Sequence, residues 1–167
     1  MSNHRSLIET IKMFEETQAD SWRPWRSVIA RLEGLEPEDV ALVERVTGRT
    51  DRTPIRELFA ALGRSAGKTR AMSVIAAALA TRTYPHAIGE RLYLGVFAPS
   101  VRQAQIDHGY IAGLLQSMPA TAALISGDIT TTTIPLGDVI VECLPSNFKT
   151  LRSRSYLAVI VDEAAFL

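Results

Sequence analysis

The sequence predicts an α/β fold: a mainly parallel sheet flanked by helices and preceded by a helical segment. Three observations carry that expectation. Apolar runs at 58–62 (Leu-Phe-Ala-Ala-Leu), 92–98 (Leu-Tyr-Leu-Gly-Val-Phe-Ala) and 157–161 (Leu-Ala-Val-Ile-Val) are continuous rather than alternating, as in strands buried on both faces. Helical patterns separate the first two runs, so the order is strand, helix, strand, helix. Residues 1–50 show helical spacing and no strand pattern.

Taken in order, Ser6 and Glu9 have the spacing of a capping box, and Leu7, Ile11 and Phe14 then share a helical face. The stretch 20–24 breaks the pattern, and Trp25, Val28, Ile29 and Leu32 form a second face that ends at Gly34. Pro37 is expected to open a third helix, carried by Val40, Val43 and Thr47 and stopped by Gly48. Residues 47–54 read as a polar linker. Residues 68–82 are apolar nearly all round, the mark of a central, buried helix. Ser100 and Gln103 repeat the capping-box spacing ahead of a helical face of Val101, Ala104, His108, Ile111, Leu115 and Met118. Runs at 129–134 and 139–144 flank Pro135-Leu136-Gly137-Asp138 and predict a hairpin with a four-residue loop.

The 167 residues are enough for a domain with a real core, and 47% hydrophobic with 22% charged residues is ordinary for a globular chain. Eighteen basic and eighteen acidic residues cancel, so the totals carry no basic excess for nucleic acid, although charge can be segregated locally. Cys143 is the single cysteine, lies in an apolar run and is expected as a buried strand thiol. One cysteine and three scattered histidines argue against a zinc site. No apolar run approaches the roughly 20 residues of a membrane span, and the first residues lack the apolar segment of a signal peptide. A cytoplasmic location is therefore expected.

Two motifs carry chemistry. The run ending at Leu62 leads into Gly63-Arg64-Ser65-Ala66-Gly67-Lys68-Thr69 and then into the buried helix. In that context Gly67 lets the backbone approach phosphate oxygens, and N–H groups at the helix start point at the anion. Lys68 would reach the β- and γ-phosphates of ATP, and Thr69 would offer its hydroxyl to Mg²⁺. The first glycine of the usual G-x-x-x-x-G-K-[ST] pattern falls one residue late, with Leu62 in its place. At the other end, the run 157–161 meets Asp162 and Glu163. Two carboxylates ending a buried strand are costly unless a cation or a reaction uses them. Asp162 would hold Mg²⁺ and Glu163 would orient and deprotonate the attacking water.

With these residues in view, the chain resembles the ATPase portion of phage terminase large subunits. Gly63-Arg64-Ser65-Ala66-Gly67-Lys68-Thr69 is similar to that family's deviant phosphate loop. Val159-Ile160-Val161-Asp162-Glu163-Ala164-Ala165-Phe166 looks like its acidic strand, and residues 146–155 resemble the polar, arginine-bearing approach to it. Asp20-Ser21-Trp22-Arg23-Pro24-Trp25 and Thr47-Gly48-Arg49 look like the lead-in of one tailed-phage subgroup.

The resemblance implies a P-loop NTPase fold of the RecA/ASCE type. A helical lead-in over 1–50 would precede a partial ATPase domain over 55–167, with the nuclease domain absent and the sheet incomplete. It implies ATP and Mg²⁺ as cofactors and assigns Arg64, otherwise a solvated arginine on a surface loop, to contacting the γ-phosphate or sensing hydrolysis, as a catalytic partner of Glu163. The intact motor would couple ATP hydrolysis to translocation of double-stranded DNA, as an oligomeric ring with a portal protein and a small terminase subunit, in the host cytoplasm. As a truncated piece the chain is expected to hydrolyse ATP weakly or not at all. A helicase-like DNA translocase fragment shares the Lys-Thr and Asp-Glu logic, and a non-catalytic nucleotide-binding remnant is the third reading. Lys149, Arg152 and Arg154 either touch DNA phosphates or a neighbouring subunit, or are solvated loop charges. Trp22 and Trp25 either pack the helices or lie near adenine.

Overall fold

The structure is a computed structural model that describes residues 6–63, 66–146 and 154–164. The chain divides into two compact units, 1–68 and 69–167.

The first unit is helical. Helix α1 (Leu7–Ile11) is opened by a complete capping box: Ser6 Oγ accepts from the Glu9 N–H, and Glu9 reaches back to the Ser6 N–H. The Glu33 carboxylate accepts from the next two orphan donors, the N–H groups of Leu7 and Ile8. Two 3₁₀ turns follow, and Pro24 then sits in the first turn of α2 (Arg23–Leu32), where its missing N–H costs nothing. Helix α3 (Val40–Thr47) starts later than Pro37 suggests. Its cap is Asp39, whose side chain accepts from the Leu42 N–H, and Gly48 ends it in the left-handed region at φ 66°.

The unit's polar centre is Arg26. It is 8% exposed, pairs with Glu38 through three bonds of 2.8–3.1 Å, and donates to the carbonyls of Thr17 and Ala19. That bond and the nearby Lys12 ammonium hold the Glu38 carboxyl well below the usual range, at about 2. Trp22 is buried and Trp25 half-buried among these helices.

The second unit is α/β. Helix α4 (Lys68–Ala80) buries Ala71, Ser73, Val74, Ala76, Ala77, Ala78 and Ala80, as its all-round apolar sequence predicts. Strand β1 (Leu92–Ala98), helix α5 (Val101–Ser117) and the short α6 (Pro119–Ala122) follow. Strands β2 (Thr133–Leu136), β3 (Val139–Pro145) and β4 (Ser155–Val161) complete the unit. The open four-stranded sheet has the order β2-β3-β1-β4; β1 is parallel to both β3 and β4, and β2 is antiparallel to β3. The hairpin loop is two residues, Gly137 and Asp138, rather than four, because Pro135 and Leu136 belong to the outer strand β2. A proline fits there: on the side of β2 away from β3, Pro135 contributes its carbonyl, which accepts from the Ser126 N–H, rather than an N–H.

Register sorts the side chains. Leu94, Val141 and Ala158 align across one face, as do Val96, Cys143 and Ile160, and helix α5 packs against β1 and β3. Leu94, Val96, Val141 and Cys143 are at most 2% exposed, so the core lies there. No helix among the described residues is long and apolar enough to cross a membrane.

Candidate functional site

The phosphate-loop candidate does not take the expected local form. Residues 58–62, expected as a buried strand, are irregular and exposed, with Phe59 at 90%. A strand needs a neighbour to accept its N–H groups. The described sheet pairs only β1 to β4, so this run has no ladder. Beyond it, Gly67 has φ +73° with open space where a Cβ would stand, so a glycine there answers a backbone need and not a crowding one. Helix α4 begins at Lys68, whose ammonium donates to the carbonyls of Leu62 and Gly63 at 3.0 Å each. Lys68 is thus folded onto the loop that precedes it. Thr69 and Arg70 complete the opening residues of the helix, which carry no acid. Arg64 and Ser65 lie outside the described residues; Gly63 and Ala66 are exposed on either side of them.

The acidic end is built within the second unit. The ladder runs one residue past β4, with the Asp162 N–H donating to the Phe97 carbonyl at 2.8 Å. On the other side of β1, the Ser146 N–H donates to the Ala98 carbonyl at 2.9 Å. The carboxyl ends of β3, β1 and β4 are therefore level. Alternation along β4 puts Asp162 on the face of Ala158 and Ile160, the face α5 covers. Its side chain is buried, at 3% exposure. Glu163 is exposed and turns the chain with φ 51°, the one left-handed non-glycine among the described residues.

Helix α5 closes the site from above. Ser100 caps it by accepting from the Gln103 N–H at 3.2 Å. The Gln103 side-chain amide then donates to two carboxylates, Asp162 Oδ2 at 3.1 Å and Asp107 Oδ1 at 3.2 Å. Asp107 is 2% exposed, and its Oδ2 is buried without a partner among the described residues. Burial pushes its carboxyl up to about 7, with help from the charges of Asp162 and Glu163 and against the Gln103 bond. Beneath it on β3, burial and the neighbouring acids Asp107 and Glu142 push the Cys143 thiol up to about 12, the inert strand thiol expected from the sequence.

Gln103 and Asp107 were not legible as site residues. Gln103 presents itself as half of a capping box. Asp107 stands three residues after Ala104, on the stripe that α5 buries, and an acid on an apolar stripe was the available signal. His108 is 8% exposed on the same stripe, a packed residue.

A second polar cluster lies on the opposite face of the sheet. Glu142, 4% exposed, pairs with Arg154, and that guanidinium sits 4.7 Å from the centroid of the Tyr93 ring. Arg154 is therefore committed to the sheet and is not a solvated loop charge; Lys149 and Arg152 lie outside the described residues.

The crevice beyond the carboxyl ends of parallel strands, capped by the start of a helix, is where open α/β sheets bind ligands. Asp162 suits a hard divalent cation: it offers a carboxylate at that rim, with one oxygen anchored by an amide. No three His, Cys, Asp or Glu among the described residues are grouped to cage a metal. Comparison with family models, curated proteins and solved structures finds no match.

Proposed function

We propose that the chain is an ATP-binding portion of a P-loop ATPase, of the kind found in phage terminase large subunits. The carrying observation is the buried Asp162, followed by Glu163, at the carboxyl end of a strand parallel to its neighbour. Gly67-Lys68-Thr69 at the start of a buried helix supports it from the other motif.

On this reading the Lys68 ammonium exchanges the carbonyls of Leu62 and Gly63 for the β- and γ-phosphates. The backbone N–H groups of 63–67 and the start of α4 hold the remaining phosphate oxygens. Arg64 neutralises charge at the γ-phosphate. Thr69 and Asp162 hold Mg²⁺, which when bound offsets negative charge on the phosphates. Glu163 orients the attacking water and takes its proton. The work coupled to this in an intact motor is movement of double-stranded DNA, with a portal protein and a small terminase subunit as partners.

The experiment is calorimetric titration of Mg-ATP into the wild-type chain, Lys68→Ala and Asp162→Asn. Binding is expected in the wild type, with at least about tenfold loss in Lys68→Ala, since one charge-assisted contact is worth roughly 1.5–3 kcal/mol. No heat from the wild type sinks the proposal. A second reading, nucleotide binding without turnover, is favoured by the irregular, exposed 58–63 segment, because phosphate transfer needs a loop held within fractions of an ångström. Phosphate release measured beside the titration separates the two: binding without release selects the second. Capture of a portal protein, rather than stimulation by DNA, separates a packaging motor from a helicase-like translocase.

A further inference from the structure

We propose that Gln103 is a positioning residue for Asp162: its neutral amide fixes the carboxylate that would hold Mg²⁺ and at the same time ties Asp107 beside it. The inference rests on the nucleotide reading above.

Two helices of this chain begin with the same signature, Ser-x-x-Glu at 6–9 and Ser-x-x-Gln at 100–103. In α1 both halves of the box are formed. In α5 only the serine half is formed, because the Gln103 side chain bonds to Asp107 on the next turn and to Asp162, 59 residues away. A cap residue has been diverted to join helix and strand.

The chemistry of the side chain suits that task. An amide has two N–H donors, and here each meets a different carboxylate. It adds no charge. A glutamate would bring a third carboxylate against Asp107 and Asp162. A lysine or arginine would pair with Asp162 and compete with a cation for its charge. The amide restrains Asp162 through Oδ2 and leaves its negative charge available. Groups that orient a metal-binding carboxylate in this way change metal affinity by about tenfold to a hundredfold when removed.

The test compares Gln103→Ala and Gln103→Glu, alone and combined with Asp162→Asn, in the full chain. The first readout is ATP affinity with saturating Mg²⁺ against affinity in EDTA. Gln103→Ala is expected to cut the Mg²⁺-dependent gain about tenfold and to leave the EDTA affinity unchanged; Gln103→Glu cuts it further. The second readout is melting temperature without nucleotide. Gln103→Glu is expected to lower it more than Gln103→Ala does, and the excess shrinks in the Asp162→Asn background.

A capping role predicts the reverse order, since glutamate at this position completes the box and favours the helix start. A melting temperature for Gln103→Glu at or above the wild type overturns the assignment, and so does strict additivity with Asp162→Asn. If the wild type binds no ATP, the nucleotide reading fails, and the melting cycle alone decides whether Gln103 positions Asp162.

Discussion

Residues 58–62 and 157–161 look alike in the sequence: five apolar residues each, leading directly into a polar motif. Their fates differ. The second is the body of β4, paired with β1 from Ala158 to Val161 after a register shift at Leu157, and the first is irregular with Phe59 90% exposed. Composition explains part of the difference. Val159, Ile160 and Val161 are β-branched, whereas Leu-Phe-Ala-Ala-Leu has no β-branched residue, and its leucines and alanines suit a helix as well as a strand. Partnership explains the rest. The β4 run meets a central strand with an open edge, whereas the described sheet offers 58–62 no ladder. A neighbour makes the apolar run 157–161 a strand but does not bury it on both faces as its composition predicts: β4 is at the end of the described sheet, none of its residues is buried, and Val159 and Val161 are 49% and 39% exposed.

The sheet side of this comparison is the easiest to break. Leu94 is fully buried at the centre of β1, between Val141 and Ala158. Leu94→Ala is expected to cost about 3 kcal/mol, as buried leucine truncations do. Urea unfolding measures it; a loss under about 1 kcal/mol contradicts the core placed here.

The helical unit is held by different means. Arg26 is almost buried and satisfies Glu38 and two carbonyls at once. Arg26→Ala is expected to cost about 2 kcal/mol, less than for a fully buried pair because Glu38 is about one-third exposed. Its pH signature follows from the sign. Glu38 is depressed when folded, so its contribution is present above the ordinary carboxylate range and is lost as pH falls toward about 2. Arg26→Ala should flatten the acid limb of the stability curve, and circular dichroism melts between neutral and low pH measure it.

The α/β class, the strands at 92–98 and 157–161, the buried α4 and the buried Cys143 were all legible, because each is written in a local apolar pattern. The hairpin was legible but its loop was not: Pro135 and Gly137 both signal a turn, and only pairing shows that Pro135 lies in β2. Of the candidate site, Asp162 and Glu163 were found because they interrupt an apolar run. Gln103 and Asp107 join Asp162 only through tertiary contact between α5 and β4, and no local pattern encodes a separation of 59 residues.

Asp107 marks the contrast electrostatically, since the acidic end buries a carboxyl that has no ion-pair partner among the described residues. With a folded value of about 7 and an ordinary value near 3.8, Asp107 keeps its proton in the folded state while the unfolded state ionises. Its contribution to stability is complete below the unfolded value and is lost as pH rises through about 7. Asp107→Asn removes that loss. The variant is expected to melt a few degrees above the wild type at pH 8 and close to it at pH 4. Equal shifts at both pH values would show that the proton is not held.

The smallest expected effect is the sharpest probe of the comparison. Phe59 is 90% exposed, and nothing described packs on its ring. Phe59→Ser should change the stability of the chain by no more than about 0.5 kcal/mol, the range of surface substitutions away from special features. A buried phenylalanine would cost several times that. The sequence alone argues for burial and the structure for exposure, so one unfolding curve chooses between them. A loss of about 3 kcal/mol would return 58–62 to the sheet as a strand, and with it a rigid support for Gly63 and Lys68. No loss would leave the loop with the two carbonyl contacts of Lys68, which favours nucleotide binding over turnover.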